Sequence, residues 1–106
     1  MFVILFMIFQ MLPHIFVWNC QGCASPKFVR VVRDYYVEFY IDVEAFLETR
    51  VNCLKADRII SKIGLDCSHR IEAKGYAGGL CICWINTFQI QIMLNDPQFT
   101  LCHLRK

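Results

Sequence analysis

Apolar positions change their spacing several times along this chain, and each change predicts an element. Ile15 to Trp18 is a continuous apolar run and reads as a buried strand. Ser25-Pro26 is a helix start, with serine at the N-cap and proline at the first helical position. Apolar residues then fall at Phe28, Val31, Val32, Tyr35, Tyr36 and Phe39, the stripe of an amphipathic helix. Lys27, Arg30, Arg33, Asp34 and Glu38 cover its other sides. "VEAFL", Val43 to Leu47, predicts a short strand in which Glu44 is out of place. A second helix, 54–63, carries Ala56, Ile59, Ile60 and Ile63 on one stripe and stops at Gly64. The period then becomes two. His69, Ile71 and Ala73 alternate with Ser68, Arg70, Glu72 and Lys74, as in a half-exposed strand. Gly75 to Gly79 is a turn, Leu80 to Ile85 a buried strand, and Phe88 to Leu94 an alternating one. Asn95-Asp96-Pro97 turns the chain again, and a last strand begins at Phe99. The predicted class is α/β, in the order β-α-β-α-β-β-β-β.

Composition narrows this picture. The 106 residues suffice for one small domain with one core. Hydrophobic content of 57% against 19% charged excludes a disordered chain. Residues 1–14 form an apolar N-terminal extension, and 15–106 the domain. "MFVILFMIFQMLPHIFVW" is interrupted by Gln10, Pro13 and His14, so it falls short of the roughly 20 apolar residues of a membrane span. As a signal peptide it lacks a basic start, although "GCA" before Ser25 passes as a cleavage site. Translation from Met11 is a further alternative; the chain would then open directly on the first strand.

Charge and cysteine add little by themselves. The net charge is +2, and Lys and Arg are scattered along the sequence without the clustered basic face of a stand-alone nucleic-acid binder. Seven cysteines are an odd number for a secreted disulfide framework. Cys20-x-x-Cys23 and Cys81-x-Cys83 have spacings conceivable for zinc. The second pair sits inside "GLCICWI", however, where cysteine behaves as a small hydrophobe, and reduced core or loop thiols are the preferred reading.

Connectivity is more informative. Strand, helix, strand is a right-handed crossover with parallel strands, so both strands end at one edge of the sheet. Asn19 follows the first and Glu48 the second. An amide and a carboxylate therefore converge where open α/β sheets commonly hold ligands. Oxygen donors there suit a hard cation such as Mg²⁺, which needs only one or two carboxylates and keeps several waters. From spacing alone, a solvated strand-end Glu48 and a turn-forming Asn19 are the preferred reading.

Five short stretches in order make a resemblance. They are Trp18-Asn19-Cys20-Gln21-Gly22, Asp42-Val43, Leu47-Glu48-Thr49, Lys62-Ile63-Gly64-Leu65, and Gly75-Tyr76-Ala77-Gly78-Gly79 with Trp84. Together they resemble the endonuclease/exonuclease/phosphatase superfamily, of DNase-I-like fold, and most of all the endonuclease domain of plant LINE-type non-LTR retrotransposons. The resemblance covers Ile15 to about Leu104. It implies an α+β four-layer sandwich of two sheets, of which this chain would be the N-terminal half. It also implies a Mg²⁺-dependent phosphodiesterase, with Mn²⁺ a possible substitute, acting on DNA without a small-molecule cofactor. Asn19 then corresponds to the active-site asparagine that orients the phosphate and metal shell, and Glu48 to the metal-binding glutamate. Tyr76 falls in a loop near the nucleic acid, or is a turn aromatic packing on its own strand. Ala77 departs from the usual serine, and Ile41 from a usual proline before the Asp.

Other parts of that machinery are missing from the sequence. No Asp-x-Asn follows "GYAGG", and no Ser-Asp-His occurs anywhere. Nothing in the pattern brings His14, His69 or His103 beside Glu48. The expectation is a truncated, inactive retroelement remnant lacking the sheet that would cover the first, with a nuclear or cytoplasmic rather than a membrane location. Two alternatives remain: a small membrane-associated or secreted protein led by the apolar N-terminus, and a binding module that completes its fold by pairing an open edge with another chain.

Overall fold

The computed structural model describes residues 3–8, 13–51, 53–71, 78–95 and 99–105. Its elements are β1 (Val3–Ile8), β2 (Ile15–Asn19), α1 (Pro26–Phe39), β3 (Val43–Leu47), α2 (Cys53–Ile63), β4 (Cys67–Ile71), β5 (Leu80–Trp84), β6 (Gln89–Asn95) and β7 (Phe99–Arg105). From β2 onward the order is the expected one. The addition is β1, which the apolar extension forms.

The first crossover follows the sequence closely. β2 and β3 pair in parallel, with Ile15 opposite Val43 and Asn19 opposite Leu47. Between them, the Ser25 side chain accepts the Lys27 N–H at 3.3 Å and Pro26 opens α1. Tyr40, at φ 51°, closes the helix, and its N–H reaches back to the Tyr36 carbonyl. His14 holds this end in place. Its Nδ1–H donates to the carbonyls of Phe39 and Tyr40 at 2.9 and 3.1 Å, and its backbone N–H donates to Asp42 Oδ2 at 2.9 Å.

Four strands make the main sheet, in the order β2-β3-β5-β4, with β5 antiparallel to both neighbours. Alternation then divides the side chains between two faces. Phe46, Cys81 and Cys83 meet Phe28 and Val32 of α1 and Ile63 of α2 on one face. Phe28 is the centre of an aromatic cluster, edge-on to Phe46 and stacked on Trp18. An ion pair between Asp57 and Arg70 ties α2 to β4.

The other face corrects an expectation. A main sheet left bare was predicted, but a second sheet covers it. This sheet has three strands in the order β1-β7-β6, with β1 parallel to β7 and β6 antiparallel to it. Val43, Ala45, Leu80 and Ile82 of the main sheet pack there against Cys102 and Leu104 of β7, with Ile4, Ile90 and Ile92 beside them. The physical reason is area. The main sheet carries a second apolar face, and strands 89–95 and 99–105 with the N-terminal run are the apolar segments left to bury it. The result is a mixed α/β domain of three layers: two helices, four strands, three strands.

The α1 stripe also ends sooner than predicted. Phe28 and Val32 are buried, whereas Tyr35, Tyr36 and Phe39 stay substantially exposed. β2 is an edge strand of its sheet, so little of the sheet is left to cover the second half of that stripe. Tyr35 packs on Phe16 of β2 and on Phe39, at ring-centroid distances of 5.6 and 5.7 Å.

Candidate functional site

Three loop segments lie side by side where β2 and β3 end and β5 begins. The Cys20 N–H donates to the Leu47 carbonyl at 3.1 Å, Gly22 to Glu48 at 2.7 Å and Cys23 to Thr49 at 3.0 Å. On the other side, the N–H groups of Thr49 and Arg50 donate to the carbonyls of Gly79 and Gly78 at 3.4 and 2.9 Å. Residues 48–50 are thus held from both flanks, as a continuation of the sheet beyond its regular strands.

Glu48 is at the centre of this platform. Its backbone is left-handed, at φ 57°. A residue with a Cβ pays steric energy in that region, so the conformation persists only because the neighbours fix it. Gln21 and Arg50, on the adjoining turns, share it at φ 49° and 56°. Three of the four non-glycine residues with positive φ among the described residues therefore meet at one sheet edge. The turn lifts the Glu48 carboxylate across the strand direction, where Oε2 accepts the Gly78 N–H at 3.3 Å.

The sequence placed Asn19 and Glu48 at one edge, and the register puts them there. Asn19 pairs with Leu47, one residue before Glu48. Asn19 is exposed and Glu48 partly buried. No side-chain hydrogen bond joins the two among the described residues. Tyr76 and Ala77 lie outside the described residues. His14 is at the opposite end of β2, about 16 Å away for a five-residue strand. His69 and His103 lie within β4 and β7.

Two contributors escaped the sequence reading. Gly78 supplies the N–H on the carboxylate, and its φ of 77° explains a glycine at that point of the turn. Arg50 brings a cation to the platform: its Cδ would lie 3.8 Å from a Cβ placed on Gly22. The "GG" of the turn and the "ETR" after β3 were the available signals.

The thiols here belong to the packing. Cys20 reaches the Leu47 carbonyl at 3.3 Å and Cys23 is buried in the helix-side core. Burial pushes both up from the ordinary thiol range, Cys23 to about 12, so they are neutral in the folded state. Cys83 is raised as well, first by its hydrogen bond with Cys81, 3.6 Å away, and then by burial. Cys20, Cys23, Cys67, Cys81, Cys83 and Cys102 are free thiols.

No protein-family model and no curated protein matches this chain. The geometry must therefore speak through its own donors. One carboxylate and one amide oxygen stand at the platform, and the described residues contain no cluster of three or more His, Cys, Asp or Glu side chains able to hold a metal. This donor set fits only a hard ion that keeps most of its water, as Mg²⁺ does. Glu48 Oε1 and the Asn19 amide oxygen are the atoms available to it.

The backbone at Glu48 yields a prediction. Glu48→Ala removes the bond to Gly78 and keeps the strain of a Cβ in the left-handed turn, whereas Glu48→Gly removes both. The glycine variant is expected to be more stable than the alanine variant by about 1 kcal/mol. Urea unfolding of the two proteins measures the difference, and equal midpoints would mean that the turn carries no strain.

Proposed function

We propose that this chain carries the metal-facing edge of a DNase-I-like phosphodiesterase site, in a domain of the endonuclease/exonuclease/phosphatase type related to those of LINE-type retrotransposons. The observation that carries this reading is Glu48. It is a partly buried carboxylate on a backbone at φ 57°, bonded by the Gly78 N–H, one residue past the Leu47 that pairs with Asn19 at the end of the neighbouring parallel strand. Strained backbone concentrated around one carboxylate is characteristic of functional sites. The three-layer arrangement is compatible with part of a four-layer sandwich.

In this reading Glu48 and Asn19 hold a hydrated Mg²⁺, and Mn²⁺ can replace it. The metal, when bound, polarises a phosphate oxygen and lowers the pKa of a coordinated water. Asn19 orients the phosphate group of DNA through its amide. Arg50 supplies positive charge where a phosphodiester would lie against the platform. The Asp-x-Asn and Ser-Asp-His elements implied by the resemblance are not in this sequence, so Glu48 and Asn19 are expected to bind metal without turnover.

Mn²⁺ is the probe of choice, because its paramagnetism broadens nearby amide signals without requiring catalysis. Added to the labelled chain, it is expected to broaden Asn19, Glu48 and Gly78 selectively. Glu48→Ala should remove the effect, and neither protein should nick plasmid DNA in Mg²⁺. Broadening elsewhere, or none, would defeat the metal assignment. Metal-dependent nicking that disappears in Glu48→Ala would show instead that the residues present suffice for catalysis.

A further inference from the structure

The basic residues that look scattered in the sequence converge in space. Six of the eleven, Lys27, Arg30, Arg33, Lys55, Arg58 and Lys62, lie on α1 and α2, against three acidic residues on the same helices. One of those three, Asp57, is already paired with Arg70 of β4. All six cations are exposed on the helical layer.

Between the helices runs a groove of about 560 Å³. Its apolar floor includes Val29 of α1 and Ile59 of α2, and Arg30, Arg33, Lys62 and Asp34 stand along it. Among the described residues, none of the three cations is held in an ion pair. Arg30 and Arg33 are three apart on α1 and so share a face. Two guanidinium groups on one wall with an ammonium opposite match a tetrahedral oxyanion, because each guanidinium can donate two parallel N–H bonds. The volume is that of a small-ligand site, and the apolar floor can take the uncharged part of the ligand.

We propose that the α1–α2 groove binds a phosphate-bearing ligand through Arg30, Arg33 and Lys62. The side chains, and not the helix end, make the site. Pro26 has no N–H, and the N–H groups of Lys27 and Phe28 already donate to Ser25, at 3.3 and 3.0 Å. The groove goes beyond the Glu48 platform and includes none of Asn19, Glu48, Arg50 or Gly78. The two sites are nevertheless joined by the short loop after β2. Gly22 bonds to Glu48, and Cys23 and Ser25 line the groove.

Binding is measured by calorimetry at low salt with three probes: adenosine, adenosine monophosphate and a short oligo(dT). Adenosine monophosphate is expected to bind and adenosine not to. The double variant Arg30→Gln/Arg33→Gln should weaken binding by roughly tenfold or more, as the loss of charge-assisted hydrogen bonds implies. Lys55→Gln, a cation outside the groove, and Glu48→Ala should leave it within about twofold. If only oligo(dT) binds, with the same dependence on Arg30 and Arg33, the phosphates belong to a nucleic-acid strand. Binding that survives the double variant, or binding of none of the probes, overturns the proposal. Both arginines are exposed and glutamine is a good helix former, so circular dichroism should show the double variant folded.

Discussion

Removing residues 1–10 is expected to abolish cooperative unfolding. This deletion takes away β1, and with it the whole parallel ladder from Val3 opposite Phe99 to Ile8 opposite Leu104. β7 then becomes an unpaired edge, and the second sheet is reduced to the β6–β7 hairpin. Two-stranded hairpins are marginal by themselves, and an apolar open edge invites pairing with other molecules. At about 1 kcal/mol per hydrogen bond, plus the lost burial of Ile4, the cost is several kcal/mol. That is a large share of the 5–15 kcal/mol that usually holds a domain together. Thermal unfolding followed by circular dichroism and light scattering would show a broad transition with early aggregation. An unchanged midpoint would mean that β1 is dispensable to the main sheet. A chain begun at Met11, which the sequence allowed, would carry the same defect.

Glu44→Leu should produce the second largest effect, and with a size that depends on pH. Glu44 is 1% exposed, on the helix-facing side of β3, opposite Cys83 of β5 and Phe16 of β2. Its Oε2 has no hydrogen-bond partner among the described residues. Burial pushes its carboxyl up to about 7, from an ordinary value of 4.5. Between these two values the folded chain holds a proton that the unfolded chain releases. Stability therefore falls as pH rises from 4.5 to about 7, and stays at the lower level above that. The full drop is about 3 kcal/mol. Leucine removes the titrating group and fills the space with carbon, so Glu44→Leu should flatten this slope and gain about 3 kcal/mol at pH 8. Urea unfolding across that range tests it. A wild-type protein equally stable at pH 5 and pH 8 would mean that Glu44 is ionised and compensated.

These two positions also show what could be read from the sequence. The crossover was legible because it is local: Ser25-Pro26, the α1 spacing and Leu47 before Glu48 each leave a signal within one turn or strand. Parallel pairing then brought Asn19 and Glu48 to one edge without further information. β1 was not legible as a strand, because a short continuous apolar run has no period to separate strand from helix, and its partner lies almost at the other end of the sequence. Glu44 stood out as a misfit, but its missing partner is a property of three adjacent strands. The left-handed turn at Glu48 was hidden for a similar reason: glutamate is not a turn residue, and the hydrogen bonds that impose the turn come from 20–23 and 78–79. The basic groove was partly visible as Arg30 and Arg33 at helical spacing, but Lys62 belongs to another helix.

The pairing of β1 with β7 has a consequence for synthesis. Val3 and its partner Phe99 are 96 positions apart in the sequence. At about 5–20 residues per second, roughly 5–20 s pass between the two leaving the ribosome's catalytic centre. Through that interval "VILFMI" has no strand to join. An apolar strand is thus made well before its complement, and early chaperone capture of Val3–Ile8 would guard it over that interval.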